Sequence, residues 1–306
     1  MQQPEPRPAV DVSANTLRNW PLPMPSSDGD KEVRGHLLVI GGSSEMPGAA
    51  ILAATAALRA GAGKLSIATA ASVAPGVALA IPEARVIALP ENDRGGFTAQ
   101  AAERLGDLAG KVNAVLIGPG MLDDGAACAL VDAVLPRFAD ALVILDASAM
   151  NAAGPASGQA DGAPARRFSQ PVLLTPHAGE LAHLGGGDKQ RIRAAPHAAA
   201  SDAACAWNAI VALKGALTVI AAPDGRCWQH EGGNIGLAIS GSGDTLAGII
   251  AGLAARGATP EQAAVWGVAL HAMAGDQLAL RFGLLGYLAR DIGAEIPALL
   301  RTLVGD

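Results

Sequence analysis

The segment of this chain best suited to chemistry is Ser240-Gly241-Ser242-Gly243-Asp244-Thr245, which runs directly into the small-residue stretch LAGIIAGLAARG. Glycines let consecutive backbone N–H groups converge on an anion, and the start of a helix adds partial positive charge there. Ser240, Gly241, Ser242 and Gly243 would then form an anion hole, with Asp244 at its rim placed to accept a proton. Capping the following helix is an equally good use of an aspartate, and the segment alone does not choose between the two roles.

Other polar groups follow apolar runs along the chain. Thr175-Pro176-His177-Ala178-Gly179-Glu180 puts an imidazole and a carboxylate at a helix start, where proline is at home early. Lys214 opens the stretch KGALT, as a phosphate contact or as a solvated lysine at a strand end. Gly118-Pro119-Gly120 suits either a ligand-facing loop or a plain turn, and Asp146 closes the run LVILD as a cap, a turn residue or a ligand group. The loop GGSSEMPG at 41–48 matches neither the dinucleotide fingerprint GxGxxG nor the phosphate loop GxxxxGK[ST]. Spaced carboxylates without geometry do not define a metal site. His271 and Met273, within VWGVALHAMAGDQLA, read as packing residues.

These groups need a scaffold that gathers the ends of strands. HLLVI at 36–40 ends in Gly41 and Gly42, and 49–60 then reads as an alanine-rich helix closed by Gly61. Short apolar strands recur at 64–69, 85–89, 114–117, 141–145 and 172–174. That alternation predicts an α/β fold with a central, mostly parallel sheet and helices on both faces. In such a sheet ligands bind beyond the carboxyl ends of the strands, which is where the polar candidates fall. Residues 210–222 predict two strands joined at Lys214 and Gly215, with 224–230 continuing as a hairpin. Helical patterns then cover 244–257, 260–281 and 288–303. Residues 154–166 predict a surface loop, and no fixed-period repeat is present. Pro4, Pro6, Pro8, Pro21, Pro23 and Pro25 predict an irregular N-terminal arm or edge wrap over 1–34, leaving 35–306 as one large domain.

Half of the 306 residues are apolar and 16% are charged, so a sizeable core is available. A net charge of -6, with no basic stripe interleaved with aromatics, argues against nucleic acid as a partner. Cys128, Cys205 and Cys227 fit neither a disulfide framework nor a CxxC metal site and read as reduced thiols. The N-terminal residues lack a signal-peptide pattern, and no stretch reaches about 18 uninterrupted apolar residues. A soluble cytoplasmic protein with no membrane contact is the expectation.

Taken in order, GGSSEMPGAAILAATAALRAGAGKL, IGPGM, LDASAMN, LLTPHAGEL, VALKGALTVI and GNIGLAISGSGDTLAGIIAGL resemble the NAD(P)H-hydrate dehydratase family, the ribokinase-like dehydratases related to YjeF proteins. The resemblance spans about 30–304, and the tail GLLGYLARDIGAEIP is similar to that family's closing segment. It implies a three-layer α/β/α sandwich and a hydro-lyase that repairs hydrated nicotinamide cofactors, with NADHX or NADPHX as substrate. ADP is the expected co-substrate, giving AMP and phosphate, with Mg2+ assisting. The resemblance places Lys214, Gly215, Ala216, Leu217, Thr218 and Gly243 on the AMP part of the nucleotide. It places Ala49, Gly120, His177 and Asp244 around the hydrated nicotinamide, with Asp244 as the catalytic base. It also implies a homo-oligomer, commonly a tetramer, and a functional link to a separate epimerase for the R hydrate.

This chain departs from the family pattern in three places: LDADAL reads LDASAM, TPHPGE reads TPHAGE, and GNPGM reads GNIGL. Ser148 stands where the family carries an acid. Two other readings use the same residues: a ribokinase-like kinase of a stable vitamin or sugar hydroxyl, and a non-catalytic sensor of adenine nucleotides. The arm at 1–34 is expected to pack on a neighbouring subunit.

Overall fold

The structure, a computed structural model, describes residues 8–24, 34–154, 166–185 and 187–304. The expected surface loop at 154–166 therefore lies almost wholly outside the described residues. Among the described residues ten strands form one sheet: β1 (Val10–Asp11), β2 (His36–Ile40), β3 (Lys64–Ala70), β4 (Arg85–Leu89), β5 (Ala114–Ile117), β6 (Leu142–Leu145), β7 (Val172–Leu174), β8 (Ile210–Leu213), β9 (Leu217–Ala221) and β10 (Cys227–Glu231). Their order is β1-β10-β9-β8-β7-β6-β5-β2-β3-β4. The run from β4 to β8 is parallel, whereas β9 is antiparallel to both β8 and β10.

The helices are α1 (Ala14–Arg18), α2 (Pro47–Arg59), α3 (Ala74–Ala80), α4 (Asp124–Val134), α5 (Ala178–Gly185), α6 (Lys189–Ala194), α7 (Pro196–Trp207), α8 (Ser242–Ala255), α9 (Pro260–Phe282) and α10 (Ala289–Val304). Short 3-10 segments add Ala99–Leu108 and Ala147–Ala153. Leu37, Val39, Ala114 and Leu116 turn to a core shared with α2, α8, α9 and α10. Leu38, Ile40, Val115 and Ile117 turn to the opposite core, beneath α4, α5, α6 and α7. Alternation along each strand thus fills both faces, which is why the strands read as unbroken apolar runs. The result is the three-layer α/β/α sandwich.

The helix that carries Asp244 is buried nearly all round, because α2 lies directly against it. Gly248 makes that approach possible: a Cβ there would stand 2.1 Å from the Ala53 carbonyl oxygen. Gly248→Val is therefore expected to destabilise the fold by about 1–3 kcal/mol or more, lowering the urea midpoint. An unchanged midpoint would show that the two helices do not approach this closely in solution.

The described part of the arm carries regular structure where the sequence predicts an irregular arm or edge wrap. Residues 8–24 contain β1, which adds to the sheet edge beside β10, and α1, whose Ser13 and Thr16 form a reciprocal capping box. This stretch docks on its own chain: Trp20 stacks on Trp228 at 5.8 Å, and Trp266 Nε1 donates to the Trp20 carbonyl at 2.9 Å. Prolines on either side of these elements, Pro8 before them and Pro21 and Pro23 after, masked two short regular pieces whose stability comes from packing. Among the described residues no helix is long and apolar enough to cross a membrane.

Candidate active site

Beyond the carboxyl ends of β6, β7 and β8 lies a cleft of about 950 Å³, closed on its other sides by the start of α8, one face of α9 and the loop after β10. Asp146 enters from the end of β6, His177 and Glu180 from the segment after β7, and Lys214 from the end of β8. Gly215, Ala216, Thr218, Ser242, Gly243 and Asp244 also line it. Of the candidates, Asp244, His177, Lys214, Gly215, Ala216, Thr218, Ser242 and Gly243 therefore share one site.

Lys214 is no solvated strand-end lysine. Its side chain is 21% exposed, with Nζ 3.5 Å from Asp146 Oδ1 and 3.8 Å from Glu180 Oε2. Asp146 is buried and also accepts a 2.6 Å hydrogen bond from the Thr175 hydroxyl. A buried carboxylate needs such partners, so the strand-end positions of Thr175 and Lys214 serve Asp146 directly.

His177 caps α5. Its Nδ1 accepts from the backbone N–H groups of Gly179 and Glu180, both at 3.0 Å, while Glu180 Oε2 accepts from the His177 N–H at 2.7 Å. This is a capping box with imidazole in the usual place of a hydroxyl. Because Nδ1 accepts, the neutral ring carries its proton on Nε2, which lies 3.7 Å from Glu180 Oε1.

Gly241 is the N-cap of α8, with φ +88°, so Asp244 sits inside the first turn and not at the N-cap position. Burial pushes the Asp244 carboxyl up to about 6, the negative charge of Asp146 adds to the rise, and the Lys214 ammonium holds it back. A carboxylate poised there is a competent base near neutral pH. The Ser242 N–H donates to the Ile239 carbonyl at 3.2 Å, which takes one donor out of the expected anion hole. The Gly243 N–H belongs to the first turn, whose donors lack intrahelical partners. A Cβ on Gly243 would lie 3.6 Å from Lys214 Nζ, so the helix start and the ammonium face the same space.

Ser240 turns instead to a separate groove of about 590 Å³ between α2, α8 and the start of α10, and Gly241 and Leu217 line neither space. Ala49 and Gly120 also lie outside the large cleft. They meet where the loops after β2 and β5 interlock: Gly42 N donates to the Pro119 carbonyl at 2.7 Å. Gly120 has φ +67°, and a Cβ on it would stand 2.8 Å from the Ala49 Cβ and 2.4 Å from the Met46 carbonyl oxygen. Gly118-Pro119-Gly120 is thus part of a fitted pair of loops. Strand order reverses between β2 and β5, and open sheets bind ligands at such a switch point.

Sequence reasoning took His271 for packing. Its Nε2 lies 3.0 Å from the Ser242 hydroxyl and 3.2 Å from the Ser242 carbonyl oxygen, bracing the first turn of α8. Desolvation lowers its pKa to about 4 and Lys214 lowers it further, against the hydrogen bond it donates to the Ser242 carbonyl, so it acts as a neutral donor. No local signal marks that role, because the partner lies 29 residues earlier. Asn234 was likewise missed as a joint: it accepts from the Tyr287 hydroxyl at 2.9 Å and donates to Asp276 at 3.2 Å, tying the loop after β10 to α9 and to the turn before α10. Ser148, in place of the family's acid, donates to the Met121 carbonyl at 3.3 Å.

The layered sheet and the cleft at its strand ends define a ribokinase-like α/β protein. A family model described as NAD(P)H-hydrate dehydratase matches residues 37–298, and the chain belongs to that family. It is 48% identical over 294 residues to a Xanthomonas campestris protein named ADP-dependent (S)-NAD(P)H-hydrate dehydratase, covering 95% of this chain and 96% of that one. It is 39% identical over 282 residues to a Moorella thermoacetica bifunctional NAD(P)H-hydrate repair enzyme, covering 92% of this chain and 52% of that protein. Among solved structures it resembles the ADP/ATP-dependent NAD(P)H-hydrate dehydratase of Bacillus subtilis co-crystallised with ATP and Mg2+, with a TM-score of 0.82 and 31% identity, covering 96% of this chain and 99% of that one.

Proposed function

We propose that this chain is an ADP-dependent (S)-NAD(P)H-hydrate dehydratase, returning (6S)-NADHX or NADPHX to the dihydronicotinamide with release of AMP and phosphate. The observation that carries the reading is Asp244: a carboxylate raised to about 6, in the first turn of α8, sharing a cleft with the Lys214 ammonium. In this reading Asp244 takes the proton of the C6 hydroxyl, and that oxygen attacks the terminal phosphorus of ADP. The bond from phosphorus to the bridging oxygen breaks, and AMP leaves. The C6–O bond then breaks with departure of phosphate, and loss of a ring proton restores the double bond. Lys214 and the α8 start stabilise the charge that gathers on the transferring phosphoryl group. The hydrated ring is taken to lie between Asp244, His177 and the Ala49–Gly120 contact, with KGALT and Gly243 on the nucleotide.

Among the described residues no group of three or more His, Cys, Asp or Glu side chains is arranged to hold a metal ion. That suits Mg2+, which binds through substrate phosphates, its own waters and one or two carboxylates rather than a protein cage. When bound it would neutralise phosphate charge, and Asp146 and Glu180 would be the cleft carboxylates available to hold it. Exposed Phe282, Leu284 and Leu285 favour a homo-oligomer, which a native mass measurement tests.

The experiment is recovery of the dihydronicotinamide absorbance band when the protein meets NADHX and Mg2+ with ADP or, separately, with ATP. ADP-dependent recovery is expected. A stable phosphorylated product without recovery would identify a plain kinase, and nucleotide binding without turnover a sensor.

A further inference from the structure

His230, in β10, lines the cleft directly across from Thr218 of β9. The residue is 8% exposed, and its Nε2 has no hydrogen-bond partner among the described residues. The other ring nitrogen fixes the tautomer. Nδ1 lies 2.9 Å from the Val12 carbonyl oxygen, which only accepts, so Nδ1 carries the proton and Nε2 offers a lone pair. Buried acceptors are almost always matched, so one left open on a cleft wall points to a donor that arrives with a ligand. The Gly232 backbone lies beside it. A Cβ on Gly232 would stand 2.7 Å from Nε2, Gly232 itself is exposed, and Gly233 follows at φ +79°.

The position within the cleft says which part of a ligand would meet it. Phosphates belong near Gly243 and Lys214, whereas Leu237, Leu246, Val268 and Ala272 offer apolar walls suited to a flat base. The nucleoside between these ends carries N–H and O–H donors on its exocyclic amino group and its ribose. We propose that His230 determines specificity for the nucleotide, its Nε2 accepting a hydrogen bond from an N–H or O–H donor of the nucleoside once the Gly232–Gly233 backbone shifts aside. This rests on the nucleotide-dependent reading above. The nucleoside is unchanged during phosphoryl transfer, so the contact acts on affinity and KM and leaves kcat alone.

The test is ADP affinity by calorimetry, which needs no turnover. His230→Asn keeps an amide N–H near the Nδ1 position for Val12 and removes the acceptor, whereas His230→Gln keeps a polar atom near Nε2. The Asn variant is expected to bind ADP about tenfold more weakly, and the Gln variant to recover most of that loss. The source of the donor is read with 2′-deoxy-ADP, 3′-deoxy-ADP and the diphosphate of purine riboside, which lacks the amino group. The analogue missing the partner should bind wild type and the Asn variant equally well. Equal affinity of both variants and wild type for ADP, or one constant loss across every analogue, would overturn the assignment. No ADP binding by the wild-type protein would overturn the nucleotide-dependent reading along with it.

Discussion

Asp244→Asn is expected to lower turnover by about 10²–10⁴-fold while leaving ADP affinity largely intact. The amide occupies the same space in the first turn of α8 and makes no proton-accepting carboxylate, so the loss falls on kcat. Wild-type kcat/KM should fall as pH drops through about 6, where the raised Asp244 carboxyl takes up its proton. The same substitution should stabilise the fold. Asp244 titrates near 6 in the folded chain against an ordinary 3.8, so between those values the folded state binds more protons than the unfolded one. Stability therefore declines as pH rises through that window, and above about 6 the ionised group costs its full share. Removing it should raise stability by on the order of 1–3 kcal/mol at pH 8, less than the unscreened shift implies, and by little below pH 4. Thermal unfolding at the two pH values checks this. Near-normal turnover would remove Asp244 as the base, and lower stability at pH 8 would mean that the carboxylate is stabilised where it sits.

Much of this was legible in the chain because the relevant physics is local. HLLVI, AVLI and IVAL are apolar runs that only a doubly covered parallel sheet buries, and each became a strand with the polar residue or glycine expected at its carboxyl end. The start of α8 was visible as glycines before a small-residue run, although the boundary lies at Ser242, two residues before the expected 244. What stayed hidden depends on distant partners. Nothing near Asp146 announces that Thr175 and Lys214 will converge on it, and nothing near His271 announces Ser242. β1 and α1 escaped because a two-residue strand and a one-turn helix have no periodicity of their own. The split of Ser240 from Ser242 into different spaces follows from the left-handed turn at Gly241, which a spacing of residues does not reveal.

Lys214→Met should cost both activity and stability, and the two losses have different origins. Methionine fills the space of the lysine stem, so packing is nearly conserved and the change isolates the ammonium. Turnover is expected to fall about 10²–10³-fold, the usual cost of removing one preorganised stabiliser of transition-state charge. ADP affinity should fall with it, because the phosphates lose a cation facing the α8 start. Asp146, 4% exposed, would keep the Thr175 hydroxyl and lose its ammonium partner. Breaking a buried pair from one side costs up to about 3–5 kcal/mol, so the melting temperature should drop by several degrees. The sign of the pH effect separates this from simple unfolding. Lys214 holds the Asp244 carboxyl down while burial and Asp146 push it up, so its removal lets that carboxyl rise above about 6. The acidic limb of kcat/KM should therefore move to higher pH in the residual activity of the variant. A limb that stays in place would mean that the ammonium does not act on Asp244.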